Sequence, residues 1–189
     1  NSVTAKSSAA DTLDGGKGDK DTFKLYDNAD PAAGAADTTI KAGLLPTLKN
    51  IENVVLYNNI GTTTDLREWD TVETLFLVNS VATTTTLGGK VTTVNLENNT
   101  KVQTLIFDPA LTAATLGVNN VTGAVNTTVN GTALKTLTVD ASGKASNVNL
   151  AQTANTIETL DITGKANLTL GTLAAITTIK TVDGSKAQG

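Results

Sequence analysis

Ile51-Glu52-Asn53-Val54-Val55-Leu56 states a phrase that the rest of the chain keeps repeating. Apolar residues stand at its first, fourth and sixth places. The spacing returns as Val72/Leu75/Leu77, Val91/Val94/Leu96, Val102/Leu105/Phe107, Leu134/Leu137/Val139 and Ile157/Leu160/Ile162. A seventh copy opens with Ile176 and Ile179 before Thr181 breaks it. Places four and six fall on one face of a strand, and place one sits in the turn leading in. Thr74, Thr104, Thr136, Thr159 and Thr178 each precede the fourth place, as suits extended backbone. Turn formers close the copies: Asn58-Asn59, Asn79-Ser80, Asn98-Asn99, Ala141-Ser142-Gly143 and Thr163-Gly164-Lys165.

The copies start 21, 19, 11, 32, 23 and 19 residues apart. Most steps lie near 20, the signature of a solenoid whose units bury their apolar faces only against the units above and below. The spacing therefore predicts an all-β fold, a right-handed parallel β-helix with coils of about 20 residues. Like residues then stack on like: Thr on Thr, Asn on Asn, aliphatic on aliphatic. The steps of 11 and 32 leave two readings open. Either the Val102 copy is the second strand of a coil and Leu111/Ala114/Leu116 is the next true start, or this stretch has a three-strand coil. Weaker strands at Val148/Leu150 and Leu168/Leu170 favour at least two strands per coil. The alternative fold is a β-sandwich with strands every 8–12 residues.

Composition agrees with a layered aliphatic core. Aromatics are 3% of 189 residues, with Trp69 the single Trp, and there is no Cys, Met or His. Without His or Cys, Ser-His-Asp, Cys-His and His-metal sites are excluded. Fourteen Lys and Arg against 18 Asp and Glu leave a net charge of −4, with Arg67 the only Arg. No basic stripe exists for nucleic acid, and no apolar run reaches the roughly 20 residues of a membrane span. The chain begins at Asn1, shows no signal peptide, and ends in a strand-and-turn unit with nothing after it, so it reads as a fragment.

Residues 1–43 differ from 44–189, being rich in Ala, Asp, Ser, Gly and Lys with little sustained alternation. They hold the most specific stretch, Asp11-Thr12-Leu13-Asp14-Gly15-Gly16-Lys17-Gly18-Asp19-Lys20-Asp21-Thr22-Phe23. It resembles the nonapeptide repeat of RTX proteins, G-G-x-G-x-D-x-U-x, with U a large apolar residue. Gly15, Gly16 and Gly18 match in spacing. Lys20 takes the sixth place, while Asp21 and Phe23 follow one residue late, as after a one-residue insertion. The resemblance implies a calcium site, with Asp11, Asp14, Asp19 and Asp21 supplying carboxylates and Gly15, Gly16 and Gly18 shaping the turn. Such cages need stacked copies, and Ser7-Ser8-Ala9-Ala10 offers no preceding glycines; a solvated acidic loop is the other reading.

The Thr/Asn/Val-rich coils with Ile51-Glu52-Asn53-Val54, Val72-Glu73-Thr74-Leu75 and Ile157-Glu158-Thr159-Leu160 are similar to those of RTX-type S-layer proteins and adhesins. That likeness implies type I export, calcium-assisted folding outside the cell, and a non-catalytic structural role on a bacterial surface. The implied partners are further copies in a lattice, or cell-surface polysaccharide. A secreted adhesin or carbohydrate-binding stalk is the alternative. A polysaccharide-active enzyme would need carboxylates, for which Asp65, Glu68 and Asp70 around Arg67 and Trp69 are the candidates; the same hexapeptide also reads as a loop whose Trp covers the core edge. Thr83-Thr84-Thr85-Thr86 invites an ice-binding face, though no Thr-x-Thr column recurs on every coil.

Overall fold

The computed structural model describes residues 11–18, 20–26, 45–58, 63–81, 84–122, 125–173 and 176–189. All its regular elements are strands. The odd-numbered ones are β1 (Thr12–Asp14), β3 (Thr47–Lys49), β5 (Thr63–Asp65), β7 (Thr84–Thr86), β9 (Gln103–Ile106), β11 (Val125–Asn130), β13 (Ser146–Ala151) and β15 (Leu168–Leu170). The even-numbered ones are β2 (Thr22–Tyr26), β4 (Asn53–Tyr57), β6 (Thr74–Val78), β8 (Thr93–Glu97), β10 (Ala113–Asn119), β12 (Thr136–Ala141), β14 (Thr159–Gly164) and β16 (Thr181–Ala187). The even strands form one sheet of eight in sequence order. The odd-numbered strands from β5 to β15 form a second sheet of six, and β1 pairs with β3. Every pairing is parallel. This is the β-solenoid expected from the phrase, with two strands per coil. A sandwich needs antiparallel neighbours and is excluded. Strands β1 and β2 lie within residues 1–43, yet they stack on β3 and β4 as the later coils stack on each other.

Alternation along each strand builds the interior. In the even sheet one column runs Phe23, Val54, Leu75, Val94, Leu116, Val139 and Ile162, each in register with the next. Beside it stand Leu56, Leu77, Leu96, Val118 and Ala141, all buried. Opposite them Leu105, Val129, Val148 and Leu150 point inward from the odd sheet. Burying aliphatic side chains on this scale is the main driving force, about 1.5–3 kcal/mol for each fully buried Val, Leu or Ile.

Register resolves the irregular spacing. The Val102 copy belongs to β9 in the odd sheet, so the first of the two readings holds, and Val102 itself is 48% exposed. The next even strand is β10, built from Leu111/Ala114/Leu116. Here the phrase slides: Leu116, its sixth place, stacks on Val94, a fourth place. From β10 onward the copies realign, Ala114 on Leu137 and Leu116 on Val139. A slide of two residues keeps every side chain on its face, so the core tolerates it. The seventh copy is displaced too. Val182 rather than Ile179 stacks on Leu160, and Ile179 occupies the lead-in place that Ile157 fills one coil earlier.

Corners repeat as regularly as strands. Tight turns closed by Trp69 N to Leu66 O, Val91 N to Gly88 O, Leu111 N to Asp108 O and Leu134 N to Gly131 O lead into the even sheet. Before β14 a side chain does this work, Gln152 Oε1 accepting from Thr156 N at 2.6 Å and Ile157 N at 2.9 Å. Leaving the even sheet, Asn58, Asn79, Asn98 and Asn120 all adopt positive φ. Asn79 Nδ2 donates to Asn58 Oδ1 across 21 residues of sequence, and Asn120 Nδ2 to Asn98 Oδ1 across 22. Those offsets are the coil length.

Candidate functional site

The glycine-rich turn joins β1 to β2 and packs on the coil that follows it. Gly15 N donates to Lys49 O, and a Cβ at Gly15 would strike the Asn50 carbonyl oxygen, so only glycine fits. Gly16 has φ of 84°, in the left-handed region. A Cβ at Gly18 would stand 2.8 Å from Asp21 Oδ2. The glycines therefore let the loop close down on the Asp21 side chain.

Asp14 and Asp21 lie on either side of this closure. Asp14 Oδ1 accepts from Asn50 Nδ2 and from Gly16 N, each at 2.9 Å, and these bonds hold the carboxyl below its ordinary range. Asp21 N donates to Glu52 Oε2 at 2.9 Å, and Asp21 O accepts from Asn53 N. Its Oδ2 is buried and has no hydrogen-bond partner among the described residues. An orphaned carboxylate oxygen beside a glycine-rich turn is donor chemistry a hard cation takes. Among the described residues no three acidic side chains converge as a ready cage. A cation here would rest on Asp21 and backbone oxygens.

The remaining sequence-predicted residues fall elsewhere. Asp11 stands at the far end of β1, about 10 Å from Asp14 along an extended strand, where its carbonyl accepts from Thr47 N. Asp19 lies outside the described residues. Two contributors were not foreseen, Asn50 and Glu52. They come from the next coil, and residues 27–44 between the turns hide their adjacency from a linear reading.

The Asp65–Asp70 stretch is a coil corner. Trp69 is 1% exposed, its indole N–H donates to Pro46 O at 2.9 Å, and its ring meets Phe23 edge-on at 6.0 Å. A ring placed so cannot stack on a sugar. Asp65 pairs with Arg67 at 2.6 Å, and the guanidinium holds the carboxyl below its usual range. The Thr run alternates, with Thr84 and Thr86 outward and Thr85 buried; Thr83 lies outside the described residues. Thr63, Thr84, Thr104 and Thr128 do form an outward column, but the next column reads Asp65, Thr86, Ile106 and Asn130. Three aromatics share the outer face of the even sheet. Tyr26 and Tyr57 stack at 4.3 Å and 2°, with Phe76 on the adjoining strand. The stacked rings cover one face of each other, and Tyr26 stays 38% exposed.

No helix among the described residues is long and apolar enough to cross a membrane. Comparisons with protein-family models, with curated proteins and with solved structures returned no match.

Proposed function

We propose that the chain is a structural segment of a secreted bacterial surface protein, a stiff rod contributing to an S-layer-like lattice and carrying out no catalysis. The observation that supports this is the unbroken column from Phe23 to Ile162. Each interior strand of the even sheet is hydrogen-bonded to the coils before and after it, so bending or stretching must break parallel ladders and expose the core together. Repeats coupled this way resist deformation as a unit. Export and surface address are what the RTX resemblance implies, and the glycines that carry that resemblance shape the turn that closes on Asp21.

A calcium ion belongs to this reading. Asp21 Oδ2 and carbonyl oxygens of the Gly15–Gly18 turn would hold it, locking the first coil onto the second through Asn50 and Glu52. Cation binding to the folded state alone adds about 2.7 kcal/mol at a hundredfold excess over Kd. Calcium titration followed by circular dichroism and melting temperature tests it. A rise of several degrees at millimolar calcium, absent in Asp21→Asn and absent with magnesium, is the expected result. No shift in the unsubstituted chain removes the cation from the account.

A further inference from the structure

Oxidisable side chains are scarce in this chain, and two of them stand side by side. The sequence holds no Cys, Met or His, two Tyr and one Trp. The thiols and thioethers that ordinarily take an oxidant first are therefore missing. Trp69 is 1% exposed and seated against Phe23. Tyr26 and Tyr57 are left as the side chains that an oxidant in solution meets, Tyr26 being 38% exposed.

Register decides how the two rings meet. Tyr26 and Tyr57 are partners at the ends of β2 and β4, two parallel strands. Residues paired in this way leave the backbone on the same face and in the same direction. The rings therefore lie head to head, with 4.3 Å between centres and 2° between planes. Their hydroxyls are neighbours too: burial, and after it the Tyr26 phenol, push the Tyr57 hydroxyl above its ordinary range. Such alignment sets the ring carbon ortho to one hydroxyl beside the matching carbon of the other. Those carbons carry unpaired spin when a phenol is oxidised to its radical. Two rings joined by a carbon–carbon bond keep their centres close to the separation they already have in the stack. Coupling asks them to turn rather than to travel, and Tyr26 borders solvent where turning is free.

We propose that Tyr26 and Tyr57 form an oxidative cross-linking site whose product, a dityrosine, staples the first coil to the second. The co-reactant is hydrogen peroxide, spent by a haem peroxidase. Each phenol loses one electron and one proton to become a phenoxyl radical. The radicals join ortho carbon to ortho carbon, and the hydrogen on each joined carbon shifts to its own ring's oxygen, restoring both phenols. The two electrons and two protons reduce one peroxide to two waters. The new bond closes residues 26–57 into a loop and acts as a disulfide does, by restricting the unfolded chain. The site stands on ring geometry, whether or not the rod joins a lattice or holds calcium.

Treating the dilute 189-residue chain with a haem peroxidase and equimolar peroxide tests this. We expect dityrosine fluorescence and an intact mass of one chain less two hydrogens. Trypsin should then release one linked pair of peptides, 25–41 with 50–67. The yield should fall about tenfold when the chain is treated in concentrated urea, because the stack holds the rings together and the sequence alone does not. Tyr26→Phe and Tyr57→Phe should each remove the product while the circular dichroism spectrum stays unchanged. The linked chain should unfold at higher urea, followed by the fluorescence of Trp69, whose ring packs on Phe23 of β2. Chain-to-chain links as the main product, oxidation of Trp69 ahead of the tyrosines, an equal yield in urea, or an unmoved urea midpoint would each overturn the proposal.

Discussion

Asn79 has φ of 52° and Asn98 φ of 54°, in the left-handed region where most side chains cost about 1–2 kcal/mol. Asn tolerates it because its short amide bonds locally, and here the amides also bond from coil to coil. Replacing Asn79 separates the two effects. Asn79→Ala loses both the amide bond to Asn58 and the tolerance for positive φ; Asn79→Gly loses only the bond. Denaturant unfolding should show the alanine variant less stable than the glycine variant by about 1 kcal/mol. Equal stabilities would mean that the corner geometry carries no backbone cost. The turn residues at the phrase ends were legible as turns. That they stack into a ladder was legible only as the general rule that like lies on like. The parts of the glycine turn contributed by Asn50 and Glu52 were not legible, since neither matches a nonapeptide place.

Between strands, the lead-in corner carries a charge ladder. Lys135 Nζ and Lys180 Nζ bond the two oxygens of Glu158 at 2.7 and 2.6 Å, from the coils on either side. These bonds pull the Glu158 carboxyl down from 4.5 to about 2. A carboxyl depressed on folding stabilises above its unfolded pKa and loses that contribution as pH falls through the folded value. The clamp should therefore act fully at neutral pH and fade between pH 4.5 and about 2. Melting temperatures of the chain and of Glu158→Gln should differ near neutral pH and converge by about pH 2, the gap narrowing in high salt. A gap that stays constant down to that pH would contradict the clamp. At this scale the phrase predicted which residues face inward in β4, β6, β8, β12 and β14. It missed the slide at β10 because a two-residue shift is silent in an alternating pattern. It left the Val102 copy open between two readings because β9 has the same inward alternation on the opposite sheet.

For the whole molecule, the account makes one geometrical claim: the coils lie one on another in unbroken parallel register. The outward column Thr22, Asn53, Thr74, Thr93, Thr115, Thr138, Asp161 is a ruler for it, each residue in register with the next. The solenoid class was legible because a strand with one buried face and a period near 20 has few other ways to cover itself. The register shift of β16 against β14 at Gly184–Ser185 was not, since it has no mark in the apolar pattern.

A cysteine-free chain accepts spin labels cleanly, so the direct measurement is a series of pulsed electron paramagnetic resonance distances from Thr22 to Thr115, Thr138 and Asp161. At about 4.8 Å per strand, the backbone separations should be about 19, 24 and 29 Å, rising in equal steps. Distances that fail to rise in chain order, or that fold back toward Thr22, would contradict the stacked solenoid and with it the rod.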